Sequence, residues 1–94
     1  MNISQIISIV SKETGVPVSS IVNSSRKQET VLARHLSMWA CRWNSGASLQ
    51  KIAAAHSRNQ HGSVIHAANS IEDQLSYDKN IKEICTRIIN QIKQ

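Results

Sequence analysis

Apolar residues recur at helical spacing along nearly the whole chain, and a single proline, Pro17, interrupts them. The N-terminal stretch shows the i, i+3, i+4, i+7 pattern of one helix face, carried by Ile3, Ile6, Ile7 and Val10. Little of the chain alternates apolar and polar residues as a half-buried strand does. We therefore predict an all-α fold of about six helices, with residues 1–94 forming a single domain that has a modest core.

Turn and capping residues divide the chain into six predicted helices. They comprise a helix ending near Thr14 and Gly15, a short helix starting at Pro17, a long helix from Gln28 to Trp43, and three more over Leu49–His56, Gln60–Leu75 and the residues after Asp78. Ser48 is a good N-cap residue for the fourth helix. Along the third helix Leu36, Trp39 and Trp43 recur on one face, which predicts that both tryptophans pack in the core.

The net charge of +5 is concentrated in the middle of the chain. The flanking segments 1–13 and 72–94 each balance their own charges. Residues 14–71 hold the whole excess, as Arg26, Lys27, Arg34, Arg42, Lys51 and Arg58 against the single acid Glu29. Positive charge gathered in one part of a small domain is typical of a protein that binds a polyanion. A basic surface that serves only solubility is the alternative.

Other classes of protein fit the sequence less well. Cys41 and Cys85 lie far apart on predicted helices, so we expect two buried thiols and neither a disulfide nor a metal pair. No segment is apolar over a membrane-spanning length, and the N-terminus lacks a basic leader, so we predict a cytoplasmic protein without a membrane partner. Catalysis by a Ser–His or Cys–His pair needs an orienting carboxylate, and the basic region holds only Glu29. We therefore predict no enzyme activity, no catalytic residue, no cofactor, no metal site and no small-molecule substrate.

Residues 48–75 have the pattern of a helix-turn-helix, in which a short helix, a tight polar turn and a longer amphipathic helix follow one another. Gln60, His61, Gly62 and Ser63 precede Val64, the first residue of the second helix that is expected to be buried. The start of that helix would lie in the major groove of DNA, where Gln pairs well with adenine, and His and Ser bond to base edges or phosphate. Gly62 has no side chain and lets the backbone approach DNA closely.

Residues 51–67, KIAAAHSRNQHGSVIHA, resemble the signature of the C-terminal DNA-binding domain of the bacterial replication initiator DnaA, which reads approximately EIGRAFGGRDHTTVLHA. The two align without a gap, and the matching positions include Ile52, Ala55, His61, Val64, His66 and Ala67. Upstream, Arg34 and Met38 keep the register of the family's basic loop and the helix that follows it. The resemblance covers essentially the whole chain. It implies a bundle similar to the Trp repressor that contains the helix-turn-helix.

The resemblance also implies which residues contact bases. Arg26 occupies the position of the arginine that the family's basic loop places in the minor groove. Arg34 and His35 correspond to a pair that reaches the bases. Gln60, His61, Gly62 and Ser63 correspond to the run at the start of the recognition helix. Arg34 is further expected to project outward from a helix that is otherwise committed to the core.

Position along the chain predicts the phosphate contacts. Lys27 lies beside the expected DNA face, Lys51 is on the first helix of the motif, and Arg58 is in its turn. His66 falls five residues after His61, about 140° round the helix, so the two cannot share a metal ion. We interpret His66 as a structural residue or a phosphate contact.

The sequence departs from the family where the family reads bases. Gln60 replaces an Asp, Gly62 a Thr, His35 a Gln and Asn59 an Arg. Our first hypothesis is sequence-specific binding of double-stranded DNA, with a role in replication initiation or transcription that the resemblance implies and with localisation at the nucleoid. The second hypothesis is a protein-interaction module, or decoy regulator, that binds an initiator or another replication protein and no longer reads sequence.

Overall fold

The computed structural model describes residues 1–94 and contains six α-helices and no strand, which confirms the predicted fold class. The helices are α1 (Ile3–Thr14), α2 (Val18–Ile21), α3 (Gln28–Asn44), α4 (Leu49–Ala55), α5 (Gly62–Leu75) and α6 (Lys79–Ile92). Four of the six helices begin where a side chain or a proline favours it. Ser48 and Asp78 accept backbone N–H bonds at the starts of α4 and α6, and Pro17 precedes α2. Asn2 and Gln5 form a capping box at α1.

Three helices are shorter than the sequence predicts, namely α2, which is predicted over residues 17–24, α4, which ends at Ala55 and not at His56, and α5. The chain leaves α2 at Val22, because the Asn23 side chain accepts the N–H of Ser25 at 2.7 Å and so favours a turn over another helical residue. Helix α5 begins at Gly62 and not at Gln60. The N–H of Ser63 bonds to the carbonyl of Gln60 at 3.1 Å, three residues back, which makes a tight turn ahead of the helix.

Helix α3 lies at the centre of the bundle and packs against all the other helices. Its middle section, from Ala33 to Cys41, is buried except for the half-buried His35. The indole N–H of Trp39 donates to a carboxylate oxygen of Glu72 at 2.9 Å, which ties α3 to α5. Twenty buried apolar residues from α1, α3, α4, α5, α6 and the α2 region form one continuous core. Burial of this apolar surface is the main stabilising term of the fold.

A buried Ser–His pair joins α4 to α3. His56 follows α4 and is fully buried, and its Nε2 lies 2.7 Å from the hydroxyl of Ser37. The other ring nitrogen, Nδ1, lies 2.8 Å from the carbonyl oxygen of Ile52, so it must be the one that carries the proton. Nε2 then accepts from the Ser37 hydroxyl. Burial lowers the pKa of His56, which keeps the ring neutral and this arrangement intact.

The prediction that Trp43 packs in the core is wrong. Trp39 is buried, but Trp43 is 59% exposed, and the guanidinium carbon of Arg42 lies 4.8 Å from the centre of its ring. Trp43 is in the last turn of α3, where the helix extends past its packing partners, so the helical spacing no longer predicts burial. Cys41 and Cys85 are free and buried as predicted, and burial raises the pKa of each thiol to about 12. None of the six helices combines the length and the apolar character that crossing a membrane requires.

Removing the Ser37 hydroxyl should destabilise the fold without creating a large cavity. We expect Ser37→Ala to lower the free energy of unfolding by roughly 1–3 kcal/mol, because Nε2 of His56 is then buried without a partner. Urea denaturation at pH 7.5 measures the change. Ser8→Ala is the matched control, since Ser8 is an exposed helical serine, and we expect it to alter stability by less than about 0.5 kcal/mol. Equal effects of the two substitutions would show that the Ser37–His56 bond contributes nothing.

Candidate nucleic-acid interface

Helices α4 and α5 and the turn between them have the geometry of a helix-turn-helix. The turn starts at Ser57, whose φ of 59° lies in the left-handed region, and this reverses the chain direction after α4. The N–H of Arg58 bonds to the carbonyl of Ala53 at 2.9 Å. The Gln50 side chain donates to the carbonyl of Asn59 at 3.2 Å. Both ends of the turn are therefore fixed to α4, and α5 leaves it in a defined direction.

The four residues predicted to meet bases lie together at the start of α5. Gln60, His61 and Gly62 are exposed, and Ser63 is half-buried. No side-chain atom of Gln60 or His61 bonds to another part of the protein. A Cβ added to Gly62 would have no atom within 4 Å, and the φ of this residue is not positive. The fold therefore does not require glycine here, and the absent side chain leaves open space at the helix start.

The prediction that Arg34 projects away from the core is wrong. Arg34 is only 3% exposed, and its guanidinium bonds to backbone carbonyls beyond α3. Its Nε donates to Ile21 at 2.9 Å, and its Nη2 donates to Ser20 at 3.3 Å and to Ser25 at 3.0 Å. These carbonyls belong to the end of α2 and to the connector after it. Those of Ile21 and Ser25 accept no backbone N–H, whereas that of Ser20 also accepts the N–H of Asn23 at 3.4 Å. Base contact by Arg34 stays a prediction, and only Nη1 is without a bond inside the chain.

A second side chain binds the same end of α2 from the turn of the helix-turn-helix. The hydroxyl of Ser57 donates a short hydrogen bond to the carbonyl of Val22. Consecutive carbonyls at residues 20–22 thus accept bonds from α3, through Arg34, and from the turn, through Ser57. This junction fixes the connector that carries Arg26 relative to the turn that precedes α5.

Beside this junction lies a cleft of about 270 Å³ between α3, the turn and α5. It is lined by Arg34, His35, Met38, Arg58, Ser63 and His66. The rings of His35 and His66 meet edge to face, with their centres 5.9 Å apart and their planes at 89°. The cleft brings together four of the predicted contact residues, Arg34, His35, Arg58 and Ser63. It also contains His66, for which the sequence predicts either a structural role or a phosphate contact.

Positive charge in the cleft is not balanced by any acidic group. No Asp or Glu lines it, and the chain's only ion pair, Arg87 with Glu13, lies elsewhere. Burial lowers the pKa of Arg34, and the charge of Arg58 lowers it further. Burial also lowers the pKa of His35, with added contributions from His66, Arg34 and Arg58. A cleft in which cationic groups disfavour one another favours an anion.

The remaining predicted contacts surround the cleft. Arg26 shares a second hollow, of about 430 Å³, with His35. Lys27 is exposed at the N-cap position of α3, and Lys51 is exposed on α4. These side chains make no ion pair with an acidic residue, so their charges are available to a partner. No cluster of three or more His, Cys, Asp or Glu side chains is arranged to hold a metal ion.

Taken together, the short α4, the tight turn and the longer α5, inside a helical bundle and beside a cationic cleft, define a helix-turn-helix domain. Residues 3–71 match the family model described as the bacterial DnaA protein helix-turn-helix. The chain belongs to this family, as the resemblance of residues 51–67 predicts.

Relatives and a solved structure agree with this assignment. The chromosomal replication initiator protein DnaA of Aquifex aeolicus is 36% identical over 80 residues, which cover 85% of this chain and 20% of that protein. The protein of the same name from Streptococcus mutans is 37% identical over 84 residues, which cover 89% of this chain and 19% of that protein. A crystal structure of a DNA replication initiation factor superposes with a TM-score of 0.83 at 32% identity, covering 96% of this chain and 27% of that one. The chain thus spans about a fifth of the length of the curated relatives.

Three residues at this site make contacts that the sequence does not predict. His66 pairs with His35, Ser57 binds the end of α2, and His56 fills the core next to the turn. A signal for His56 exists, because the family signature has Phe at that position and so indicates burial. The other two pairings depend on how α3 and α2 lie against the motif, which the spacing of residues in the motif does not reveal.

Replacing Arg34 by lysine should show whether its fork of hydrogen bonds supports the fold. We expect Arg34→Lys to lower the free energy of unfolding by roughly 2–4 kcal/mol, because lysine keeps the charge but cannot reach the three carbonyls with a planar fork. Chemical denaturation measures the loss. Arg26→Lys, at an exposed arginine of the connector, should change stability by less than about 0.5 kcal/mol. An Arg34→Lys protein as stable as the parent would contradict the anchoring role.

Proposed function

We propose that the chain binds double-stranded DNA with sequence preference through its helix-turn-helix. In this proposal the start of α5 enters the major groove and Arg26 enters the adjacent minor groove. Lys27, Lys51 and Arg58 bind phosphates. The observation that carries the proposal is the position of the polar quartet Gln60–Ser63, which is exposed except for the half-buried Ser63, directly beside cationic groups that have no acidic partner in the protein.

The start of α5 suits groove reading for physical reasons. The side chains of Gln60 and His61 have no hydrogen bonds within the protein, so binding DNA through them would not require breaking any. Gly62 leaves room for the helix to approach a base pair closely. The turn that holds these residues is fixed to α4 and to α2, so little order has to be gained on binding.

The names of the relatives support a role in the control of replication initiation, and regulation of transcription is a further role for such a binder. Residues 1–94 would act as a single DNA-binding unit, with no catalytic role, on the chromosome in the cytoplasm. The quartet differs from the family signature at Gln60 and Gly62. The preferred DNA sequence is therefore expected to differ from the usual initiator box.

Selection from a pool of random duplexes tests the proposal directly. We expect an enriched motif, and we expect its affinity to fall with salt at a log–log slope of about −4 to −5 if roughly 4–6 phosphates are contacted. A slope near zero would contradict the electrostatic contacts. Failure to enrich any motif, even at low salt, would contradict sequence reading.

Substitutions at the start of α5 should separate base contacts from phosphate contacts. We expect Gln60→Ala or His61→Ala to weaken binding to the selected motif by roughly 1–3 kcal/mol and to leave binding to unrelated duplex nearly unchanged. Lys51→Ala is the matched comparison, because loss of a phosphate contact should weaken both by the same factor and reduce the salt slope by about one. Fluorescence anisotropy with both duplexes measures these affinities. Equal losses on both duplexes for Gln60→Ala and His61→Ala would refute the assignment of base contacts.

A protein-interaction module is the second candidate function, and one feature of the structure favours it. A groove of about 370 Å³ between α3, α5 and α6 is mainly apolar and includes Trp39, Leu75 and Ile89. A chain that kept the fold but lost base reading at Asn59, Gln60 and Gly62 would use such a surface on a replication protein. Random-duplex selection without enrichment is the result that this candidate predicts.

A further inference from the structure

The cleft beside α5 has a composition that restricts what it can bind. Arg34 and His35 line it from α3, Arg58 from the turn, and Ser63 and His66 from α5. The adjoining hollow adds Arg26 from the connector and the amides of Gln28 and Gln74. No carboxylate lines either one. A metal cation is therefore excluded by charge, although two histidine rings lie close together, because two guanidinium groups stand beside them.

An oxyanion satisfies the same groups. Arginine side chains and neutral or protonated imidazoles donate hydrogen bonds to phosphate oxygens, and the Ser63 hydroxyl can add another. The N–H of Nε and the two N–H groups of Nη2 of Arg34 are already bonded to backbone carbonyls, and these bonds hold the guanidinium in place. Its Nη1 remains unbonded within the chain. The cleft is thus built around a fixed positive charge.

We propose that this cleft holds one phosphodiester group of the DNA backbone, and that binding it adds one proton to His35, whose ring packs edge to face on His66. The proposal rests on the proposed function, since it makes DNA the source of the phosphate. As the phosphate enters, the free nitrogen of the His35 imidazole takes a proton from solvent, and the added positive charge faces the anion. Arg34 and Arg58 supply further positive charge beside it.

The direction of the proton linkage follows from the surroundings of His35. In the free protein, burial and the nearby His66, Arg34 and Arg58 hold the pKa of His35 below its ordinary value near 6.5, so this ring is neutral at pH 7. A bound phosphate places a negative charge against the same ring and raises that pKa. The bound state then carries more protons than the free state at pH values between the lowered pKa of His35 in the free protein and its raised pKa in the complex. By linkage, affinity for DNA must rise as pH falls through this range.

The histidine pair is specific to this chain within the resemblance, because the family has Gln where His35 stands. Glutamine is uncharged and is the residue that the family carries at that position, so we expect His35→Gln to fold. This substitution therefore removes the titrating ring without removing the cleft.

The DNA arm of the test measures affinity for one selected duplex between pH 5.5 and 8.5 at fixed ionic strength. The parent chain should gain affinity as pH falls from the pKa of His35 in the complex to its lower pKa in the free protein, by up to about tenfold per pH unit for uptake of one proton, and the gain should level off at lower pH. His35→Gln should flatten this dependence. His61→Gln is the matched control, because its histidine lies outside the cleft, and it should lower affinity while keeping the slope. The proposal would be overturned if the affinity of the parent chain did not depend on pH. It would also be overturned if His61→Gln removed the dependence of affinity on pH and His35→Gln kept it. Neither result would contradict the proposed function.

A second arm needs no DNA. Histidine ring resonances followed by NMR give the pKa of His35 in chloride and in sulfate at equal ionic strength, with sulfate as a tetrahedral oxyanion that does not titrate in this range. We expect sulfate to raise that pKa in the parent chain and to raise it less after Arg58→Gln. An unchanged pKa would overturn the cleft as an oxyanion site. Absence of duplex binding at every pH and salt concentration would instead overturn the proposed function.

Discussion

The end of α2 is the point on which the arrangement of the interface depends. The last carbonyls of this short helix, those of Ile21 and Val22, accept no backbone N–H, and here side chains from two other parts of the fold bind them. Arg34 reaches them from α3 and Ser57 from the turn before α5. The same bonds orient the connector that holds Arg26. Because each of these contacts joins separate elements, loss of one would move the connector and the recognition helix relative to each other.

Arg34 also links structure to function through its charge. A buried guanidinium that bonds only to carbonyls has no carboxylate to neutralise it, and such a charge is costly unless a counter-ion approaches. The cleft that Arg34 shares with His35, Arg58 and His66 opens to solvent beside the start of α5. The free protein is thus destabilised by an unpaired positive charge at the surface where a polyanion would bind, and a bound phosphate group would reduce that destabilisation.

The sequence predicts the fold well because helical periodicity and capping residues are local signals. Ser48, Asp78 and Gly15 mark helix ends in the structure at or next to the predicted positions. The site is predicted less completely. The position of the polar quartet Gln60–Ser63 at the start of α5 follows from its place ahead of Val64, but the inward direction of Arg34 does not follow from the sequence. A long charged side chain on a helix can point to solvent or to unsatisfied carbonyls, and only the position of α2 decides. Trp43 is the opposite case. Its helical spacing matches the buried face of α3, but at this end of α3 no other helix covers that face, so the side chain is exposed.

In the proposed complex, DNA contacts the face formed by the connector, the cleft and the start of α5. Chemical-shift mapping by NMR during titration with a selected duplex is the sharpest test of this contact. We expect the largest changes at Arg26, at the cleft residue His35 and at Gln60–Ser63, with α6 unaffected. Changes centred on the apolar groove around Trp39 and Ile89, with the start of α5 unperturbed, would contradict it.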